Sequence, residues 1–223
     1  MKIVIINGSP RNNGATAKIL KCFAEKLSSM NEAETEYINI SELDIRPCIG
    51  CMSCYKNGKC CIDDDGDRIS QKIGEADGLI IGTPTYASNV SGQLKQLIDR
   101  GHFVIEQLLT DKYTVCVATG VNYGNKDAAN VLDKLFRYSG GYVSGRITEN
   151  IPFNGDPLDD SIRQRIGITA FKLYNDIKKK KTHPFQKIYH KIIFSFGIRP
   201  FVIKQGKSYR GVTEKWKSMG INI

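Results

Sequence analysis

The chain has 223 residues, 41% of them apolar and 25% charged. That is the balance of an ordinary globular domain with an appendage, and it excludes wholesale disorder, collagen-like repeats and a polytopic membrane protein. The formal net charge of +9 would by itself suggest a polyanionic partner, but Lys178 to Ile223 holds 12 basic residues against Glu214 alone, +11, and the first 177 residues hold 20 basic and 22 acidic, −2. The body is nearly neutral, so no nucleic-acid partner is expected.

Residues 2–7 (KIVIIN) are a short β-branched apolar run ending at Gly8, the pattern of a strand buried on both faces. Residues 15–29 place Ala17, Leu20, Phe23, Ala24 and Leu27 at helical spacing. Residues 34–40 alternate polar and apolar, as an outer strand does. Residues 68–76 predict a short helix, 78–83 a third strand, and 91–100 the start of a helix. Residues 113–119 predict a fourth strand, 126–138 a helix, 142–148 a fifth strand and 158–180 a long helix. Five strands alternating with helices argue for a doubly wound α/β fold, a parallel sheet covered by helices on both faces. Its ligand crevice lies at the carboxyl ends of the strands. The composition shift near Lys178–Lys181 divides an α/β domain, 1–177, from a basic tail, 178–223. The opening MKIVIINGSP lacks the long apolar region of a secretory signal, and no apolar run reaches the ~20 residues of a membrane span. A cytoplasmic location is expected.

Three loops sit at the predicted crevice. Gly8-Ser9-Pro10-Arg11-Asn12-Asn13-Gly14-Ala15-Thr16 joins the first strand to the first helix. Small residues permit a tight turn, the helix start offers free N–H groups, Ser9 and Thr16 add hydroxyls, and Arg11 adds a cation. Together these describe a phosphate cradle, the other reading being a plain strand–helix turn. Thr83-Pro84-Thr85-Tyr86-Ala87-Ser88-Asn89-Val90-Ser91 follows the third strand and suits a flat heteroaromatic ring. Thr119-Gly120-Val121-Asn122-Tyr123-Gly124-Asn125 follows the fourth. In strand order 2-1-3-4-5 the three converge on one mononucleotide site. His102, His183 and His190 form no visible triad or metal set, and no side-chain acid or base is expected.

Five of the seven cysteines lie within Cys48–Cys61. The spacing C-x2-C-x2-C-x5-C of Cys48, Cys51, Cys54 and Cys60, with Cys61 adjacent, brings thiolates together as a cuboidal iron–sulfur cluster requires. Cys61 is an alternative to Cys60. Reduced thiols, a redox disulfide and zinc are the other readings. Lys56, Lys59 and Arg46 offset the negative charge of a thiolate set. The acidic run Asp63-Asp64-Asp65, with Asp67, is expected to be a solvated turn at a helix N-terminus. In the tail, Phe185, Ile188, Tyr189, Ile192, Ile193 and Phe196 share one helical face of a basic amphipathic helix. Packing against another subunit is expected, with membrane-surface adsorption the other reading. Trp216 is a candidate anchor.

GSPRNNGAT and EADGLIIGTPTYASNVSGQLKQLIDR resemble the flavodoxin-like NADPH-dependent FMN reductase family over roughly residues 1–175. The resemblance implies a flavodoxin-like fold and FMN. Its phosphate would lie among Ser9, Arg11, Asn13, Gly14, Ala15 and Thr16, and its isoalloxazine against Pro84, Thr85, Tyr86, Ala87, Ser88 and Asn89, with Gly120 and Tyr123 on the third loop. The cysteine-rich insertion at 46–66 resembles that of iron–sulfur flavoproteins, implying one [4Fe–4S] cluster on Cys48, Cys51, Cys54 and Cys60. The expectation is an FMN-dependent oxidoreductase. It would take electrons from NAD(P)H or a ferredoxin and pass them to a quinone, flavin, oxygen species or another small-molecule or protein carrier. The contrasting expectation is a non-catalytic nucleotide-binding or regulatory module acting through its basic tail.

Overall fold

The computed structural model describes residues 1–222. Strands β1 (Lys2–Asn7), β2 (Glu34–Asn39), β3 (Gly78–Pro84), β4 (Tyr113–Gly120) and β5 (Tyr142–Asn150) form one parallel sheet in the order β2-β1-β3-β4-β5. Helices α1 (Ala15–Ser28), α2 (Ser53–Asn57), α3 (Asp65–Glu75), α4 (Gly92–Arg100), α5 (Asn125–Tyr138) and α6 (Asp160–Lys178) surround it. This is the doubly wound, flavodoxin-like arrangement that the alternation of elements predicts.

The two-residue period of the strands divides the core. Ile3, Ile5, Ile80, Val115 and Val117 face α1 and α6, meeting Leu20, Phe23, Ile166 and Leu173. Val4, Ile6, Leu79, Ile81, Cys116 and Ala118 face α3, α4 and α5, meeting Ile73, Leu97, Leu132 and Phe136. Helix α1 lies so close to β3 that a Cβ on Gly82 would fall 2.6 Å from Leu20 Cδ1, so glycine sets that approach. The edge strand β2 is only partly buried, which is why its sequence alternates.

The tail departs from a single amphipathic helix. Helix α7 (Pro184–Ile193) runs into a wide turn at Phe194–Ile198, then α8 (Arg199–Gln205), a 3₁₀ turn (Gly206–Tyr209) and α9 (Arg210–Ser218). The wide turn ends two residues before Pro200, which has no N–H to donate back into that turn. Helix α7 is tied to the sheet edge by Gln186, which accepts from Val143 N at 2.8 Å and donates to Val143 O at 3.1 Å. Ile198, Val202, Tyr209, Val212 and Trp216 make a third buried cluster, joined by Tyr55, Val104 and Ile105. Trp216 is fully buried and its Nε1 donates to Ile105 O at 3.0 Å, so it anchors the tail on the body of its own chain. Ile193 and Phe194 pack inward, whereas Phe185, Ile188, Tyr189, Ile192 and Phe196 stay exposed, Phe185 to 87%. Among the described residues no helix is long and apolar enough to cross a membrane.

The acidic run stands at the N-terminus of α3 as its composition suggests, with Asp63 exposed, but Asp64 is not solvated. Asp64 caps α3 by accepting from Gly66 N at 2.9 Å, which also starts that helix three residues earlier than its apolar period does. Its carboxylate receives a two-pronged Arg100 guanidinium at 2.8 and 2.9 Å, with side-chain exposures of 0% and 1%. Burial alone would raise the Asp64 pKa, but Arg100 and the N–H groups of Arg46 and Gly66 outweigh it and hold it at about 2. A folded value below the unfolded one stabilises the fold above roughly pH 4, and the contribution disappears as pH falls toward 2. The shift corresponds to about 2 kcal/mol. The stability deficit of Asp64→Asn, measured by urea unfolding, should therefore shrink as pH drops from 5 to 2. A deficit independent of pH contradicts this.

Candidate functional site

The loop after β1 is built by short polar contacts. Asn7 Oδ1 accepts from Ser9 N at 3.2 Å, and Ser9 Oγ accepts from Arg11 N at 3.0 Å. Gly14 occupies the N-cap of α1, so no side chain caps that helix, and its first turn carries no acid. Free N–H groups and the positive end of the helix dipole therefore face the loop. Thr16 shares a buried 2.7 Å hydrogen bond with Thr119, tying the first loop to the third. Ser91 donates to Gly8 O and accepts from Leu94 N at 3.1 Å, while Thr83 Oγ1 accepts from Ser91 N at 3.0 Å. The second loop is thereby fixed to the first.

After β3, Tyr86 and Asn89 exchange backbone hydrogen bonds of 3.1 and 3.0 Å. Ala87 and Ser88 between them have φ of 48° and 57°. Two consecutive left-handed residues outside glycine are costly, about 1 kcal/mol or more each, and the closed turn holds them there. Thr85 N donates to Thr119 O at 2.8 Å. The Thr85 hydroxyl is buried and has no hydrogen-bond partner among the described residues.

These segments enclose a cleft of about 200 Å³ at the carboxyl ends of the strands. Ser9, Arg11, Asn13, Gly14, Ala15, Thr16, Pro84, Thr85, Tyr86 and Gly120 all line it. Ala87, Ser88 and Asn89 form the turn behind Tyr86 rather than the wall. Tyr123 projects into solvent, 77% exposed. A fourth segment, residues 151–155, completes the cleft. Asn154 Oδ1 accepts from Arg11 Nη2 at 2.6 Å, and the Phe153 ring lies 5.3 Å beneath that guanidinium. The visible signal for this segment was the turn-forming run Pro152-Phe153-Asn154-Gly155 directly after the fifth strand. Among the described residues the lining contains no carboxylate and no imidazole, so an anion bound there meets Arg11 directly, while Lys18 is shared with Asp156, just outside the lining, at 3.4 Å. An uncapped helix start, an unpartnered Thr85 hydroxyl and a cleft between loops fit a phosphorylated ring. A larger cleft, about 610 Å³ and lined by Asp67, Gln71, His102, Glu106 and Lys215, holds none of these loops, so size does not select the site here.

The cysteine segment lies between β2 and α3. Gly50, Met52 and Gly58, at φ of 67°, 62° and 74°, turn the chain around α2. Cys54 and Cys60 are half-buried, and Cys48, Cys51 and Cys61 are exposed. The thiols of Cys51 and Cys61 meet at 3.3 Å, so it is Cys61 that the fold brings against Cys51. The Ser53 N–H and the Cys61 thiol favour the Cys51 thiolate, lowering its pKa and raising that of Cys61. Cations border the segment: Arg100 lies beside Cys60 and His102 beside Cys54. Burial opposes charge on His102, yet its contacts with Cys54 and Glu106 outweigh this and push its pKa to about 10. Among the described residues no three His, Cys, Asp or Glu side chains are gathered at metal-binding geometry. Five soft thiols on one short, cation-bordered segment nevertheless have the donor chemistry of an iron–sulfur site. Cys22 and Cys116 are buried in the body. His183 and Ser144 both bond to Asp176 Oδ2, at 3.1 and 2.8 Å. With the carboxylate in the middle, the group braces the sheet edge and is not a Ser–His–Asp relay.

Fold and cleft together define a flavodoxin-like protein with a site suited to a phosphorylated ring at the carboxyl ends of its strands. The sequence profile described as NADPH-dependent FMN reductase matches residues 1–154, and the chain belongs to that family, within its iron–sulfur flavoprotein subgroup. It is 34% identical to an iron–sulfur flavoprotein of Clostridioides difficile (strain 630) over 99% of this chain and 100% of that one. It is 40% identical to an iron–sulfur flavoprotein of Methanosarcina thermophila over 78% of this chain and 93% of that one. Among solved structures, an apo NADH:FMN oxidoreductase superposes with a TM-score of 0.60 at 19% identity, covering 83% of this chain and 93% of that one. An archaeal flavodoxin gives 0.56 at 14%, covering 80% and 99%. Both share the fold. The profile ends at residue 154, whereas the similarity to the clostridial relative extends through the tail.

Proposed function

We propose that the chain binds one FMN in the loop cleft and one [4Fe–4S] cluster on the cysteine segment, and transfers electrons between a nicotinamide or ferredoxin donor and a small-molecule or protein acceptor. The observation that carries the flavin reading is the uncapped α1 N-terminus beside Ser9, Arg11 and Thr16, opening onto the unpartnered Thr85 hydroxyl. FMN, when bound, supplies the hydride and single-electron chemistry. The N–H groups of the first turn of α1 and the Ser9 and Thr16 hydroxyls hold the phosphate. Arg11, held by Asn154 and Phe153, adds a fixed cation. Thr85 donates to or accepts from the ring edge, and Pro84, Tyr86 and Gly120 supply flat walls. Cys48, Cys51, Cys54 and Cys60 are assigned as cluster ligands, with Cys61 the competitor for the fourth position. Arg100 and His102 offset their negative charge. Reduced thiols suit a cytoplasmic setting. The exposed Phe185–Phe196 stripe is assigned to contact between copies in a homodimer or homotetramer.

Anaerobic purification of the full chain tests both cofactors. About one FMN, four iron and four sulfide per chain are expected, with broad absorbance near 400 nm. Iron-free protein with normal flavin removes the cluster, and loss of iron in Cys61→Ser but not Cys60→Ser reassigns the fourth ligand. Steady oxidation of NADPH or NADH with a quinone acceptor is expected. Bound FMN without turnover from NADPH, NADH or reduced ferredoxin supports the non-catalytic module instead.

A further inference from the structure

Helix α9 meets the cysteine segment backbone to backbone. A Cβ on Gly211 would fall 2.3 Å from Gly58 N and 2.9 Å from Gly58 Cα, so only glycine permits this approach. Gly58 is the left-handed residue that ends α2, the helix bearing Cys54. Two residues before Gly211, Tyr209 stacks on Tyr55 with ring centroids 4.8 Å apart, and Phe201 closes on Tyr209 edge-on at 5.7 Å. Tyr55 adjoins Cys54 in the chain. Five residues after Gly211, Trp216 is buried against Ile105. Its neighbour Lys215 pairs with Glu106, which accepts from His102 Nδ1 at 2.9 Å, and His102 lies beside Cys54. Helix α2 has five residues and buries none of them, too short to hold its shape alone. Its support comes from the tail.

We propose that the 3₁₀ turn at Gly206–Tyr209 and α9 are a positioning device for the cysteine segment, with Gly211 and Tyr209 as the positioning residues. They hold α2, and Cys54 with it, in one place, so that fewer thiols must be ordered when the cluster is taken up. This rests on the cluster reading above. It also gives the tail, which lies beyond the family profile, a role at the redox site.

The test compares full-length wild type with Gly211→Ala, Tyr209→Ala, Tyr209→Phe and Lys172→Ala, all purified anaerobically. The last is a control on the exposed face of α6. Two rates are read: iron release to a ferrous chelator, and iodoacetamide alkylation of Cys54 in iron-free protein, mapped by mass spectrometry. Gly211→Ala and Tyr209→Ala should release iron roughly tenfold faster and alkylate Cys54 at least about fivefold faster, as expected when preorganisation is lost. Tyr209→Phe keeps the stacked ring and should match wild type, as should Lys172→Ala, with FMN content unchanged in all. Wild-type rates in Gly211→Ala and Tyr209→Ala overturn the proposal, and so does a Tyr209→Phe variant as fast as Tyr209→Ala. If Gly211→Ala does not fold, the Tyr209 pair decides. If wild type itself holds no iron, the cluster reading fails, and the Cys54 alkylation rates still decide whether the tail orders the segment.

Discussion

Replacing Gly14 with aspartate is expected to weaken FMN binding by at least about 100-fold while leaving the apoprotein as stable as before, or slightly more so. Gly14 is the N-cap of α1, with φ −75° and ψ 177°, extended backbone that any residue adopts. A Cβ there meets Arg11 Cβ at 3.2 Å, a tight contact that the loop relieves by a shift of a few tenths of an ångström. Aspartate is a better N-cap than glycine by a few tenths of a kcal/mol, because its carboxylate accepts from the N–H groups two and three residues on. Those N–H groups, on Thr16 and Ala17, are the ones assigned to the phosphate. The substituted carboxylate competes for them and sets a negative charge within a few ångströms of a dianion. At an effective dielectric constant near 20 such a pair costs about 4 kcal/mol, and a 100-fold loss needs only about 2.7. Gly14→Ser caps the helix without the charge and should lose less than about tenfold, which separates competition from repulsion. Titration of FMN fluorescence and urea unfolding of the apoprotein read the two effects. Wild-type affinity in Gly14→Asp would place the phosphate elsewhere.

Trp216→Ala is expected to cost about 3–5 kcal/mol, the usual range for emptying a fully buried aromatic site. Trp216 is the largest of the fully buried side chains. It meets Phe194 edge-on with centroids 5.0 Å apart, and its removal also leaves Ile105 O without its donor. The third core has only four other buried members, so it has little with which to refill the space. The loss should be local before it is global. Trypsin should cut at Lys204, Lys207 and Arg210 while the sheet domain stays protected. Trp216→Phe keeps a ring against Phe194 and should retain most of that protection. Unfolding followed by far-UV circular dichroism gives the magnitude, and because Trp216 is the only tryptophan, wild-type fluorescence reports tail docking directly. A cost below about 1 kcal/mol with unchanged proteolysis would show that the tail is not anchored by this residue.

The legible parts of this protein share one property, a local pattern with one structural solution. β1, β3 and β4 read as apolar runs because helices cover both faces, and β2 alternates because it is an edge. The cradle read as such because glycine, serine, threonine and arginine immediately precede an apolar-periodic helix. Residues 151–155 were not legible as part of the cleft. Ile-Pro-Phe-Asn-Gly carries no distinctive chemistry, and only its position after β5 sets Asn154 and Phe153 against Arg11. The cysteine spacing announced a redox or metal segment, but the Cys51–Cys61 approach follows from three left-handed residues, one of them Met52, and periodicity does not reveal those. Asp64 looked like part of a solvated acidic run because Arg100, its partner 36 positions away, is nowhere near it in the chain.

The tail shows the same division. Its apolar stripe and +11 charge were plain in the amino-acid order. Which residues turn inward was not, because Ile193 and Phe194 differ from Phe185 and Ile188 only in what lies opposite them. The amino-acid order by itself determined the strand–helix alternation, the three loops at one edge of the sheet and the clustering of thiols, since each depends on neighbours a few residues apart. Tertiary structure decided the fourth wall of the cleft, the burial of Asp64 and the seating of the tail on α2. Each of those depends on surfaces that meet only after the sheet has formed, such as Trp216 against Ile105, 111 residues away.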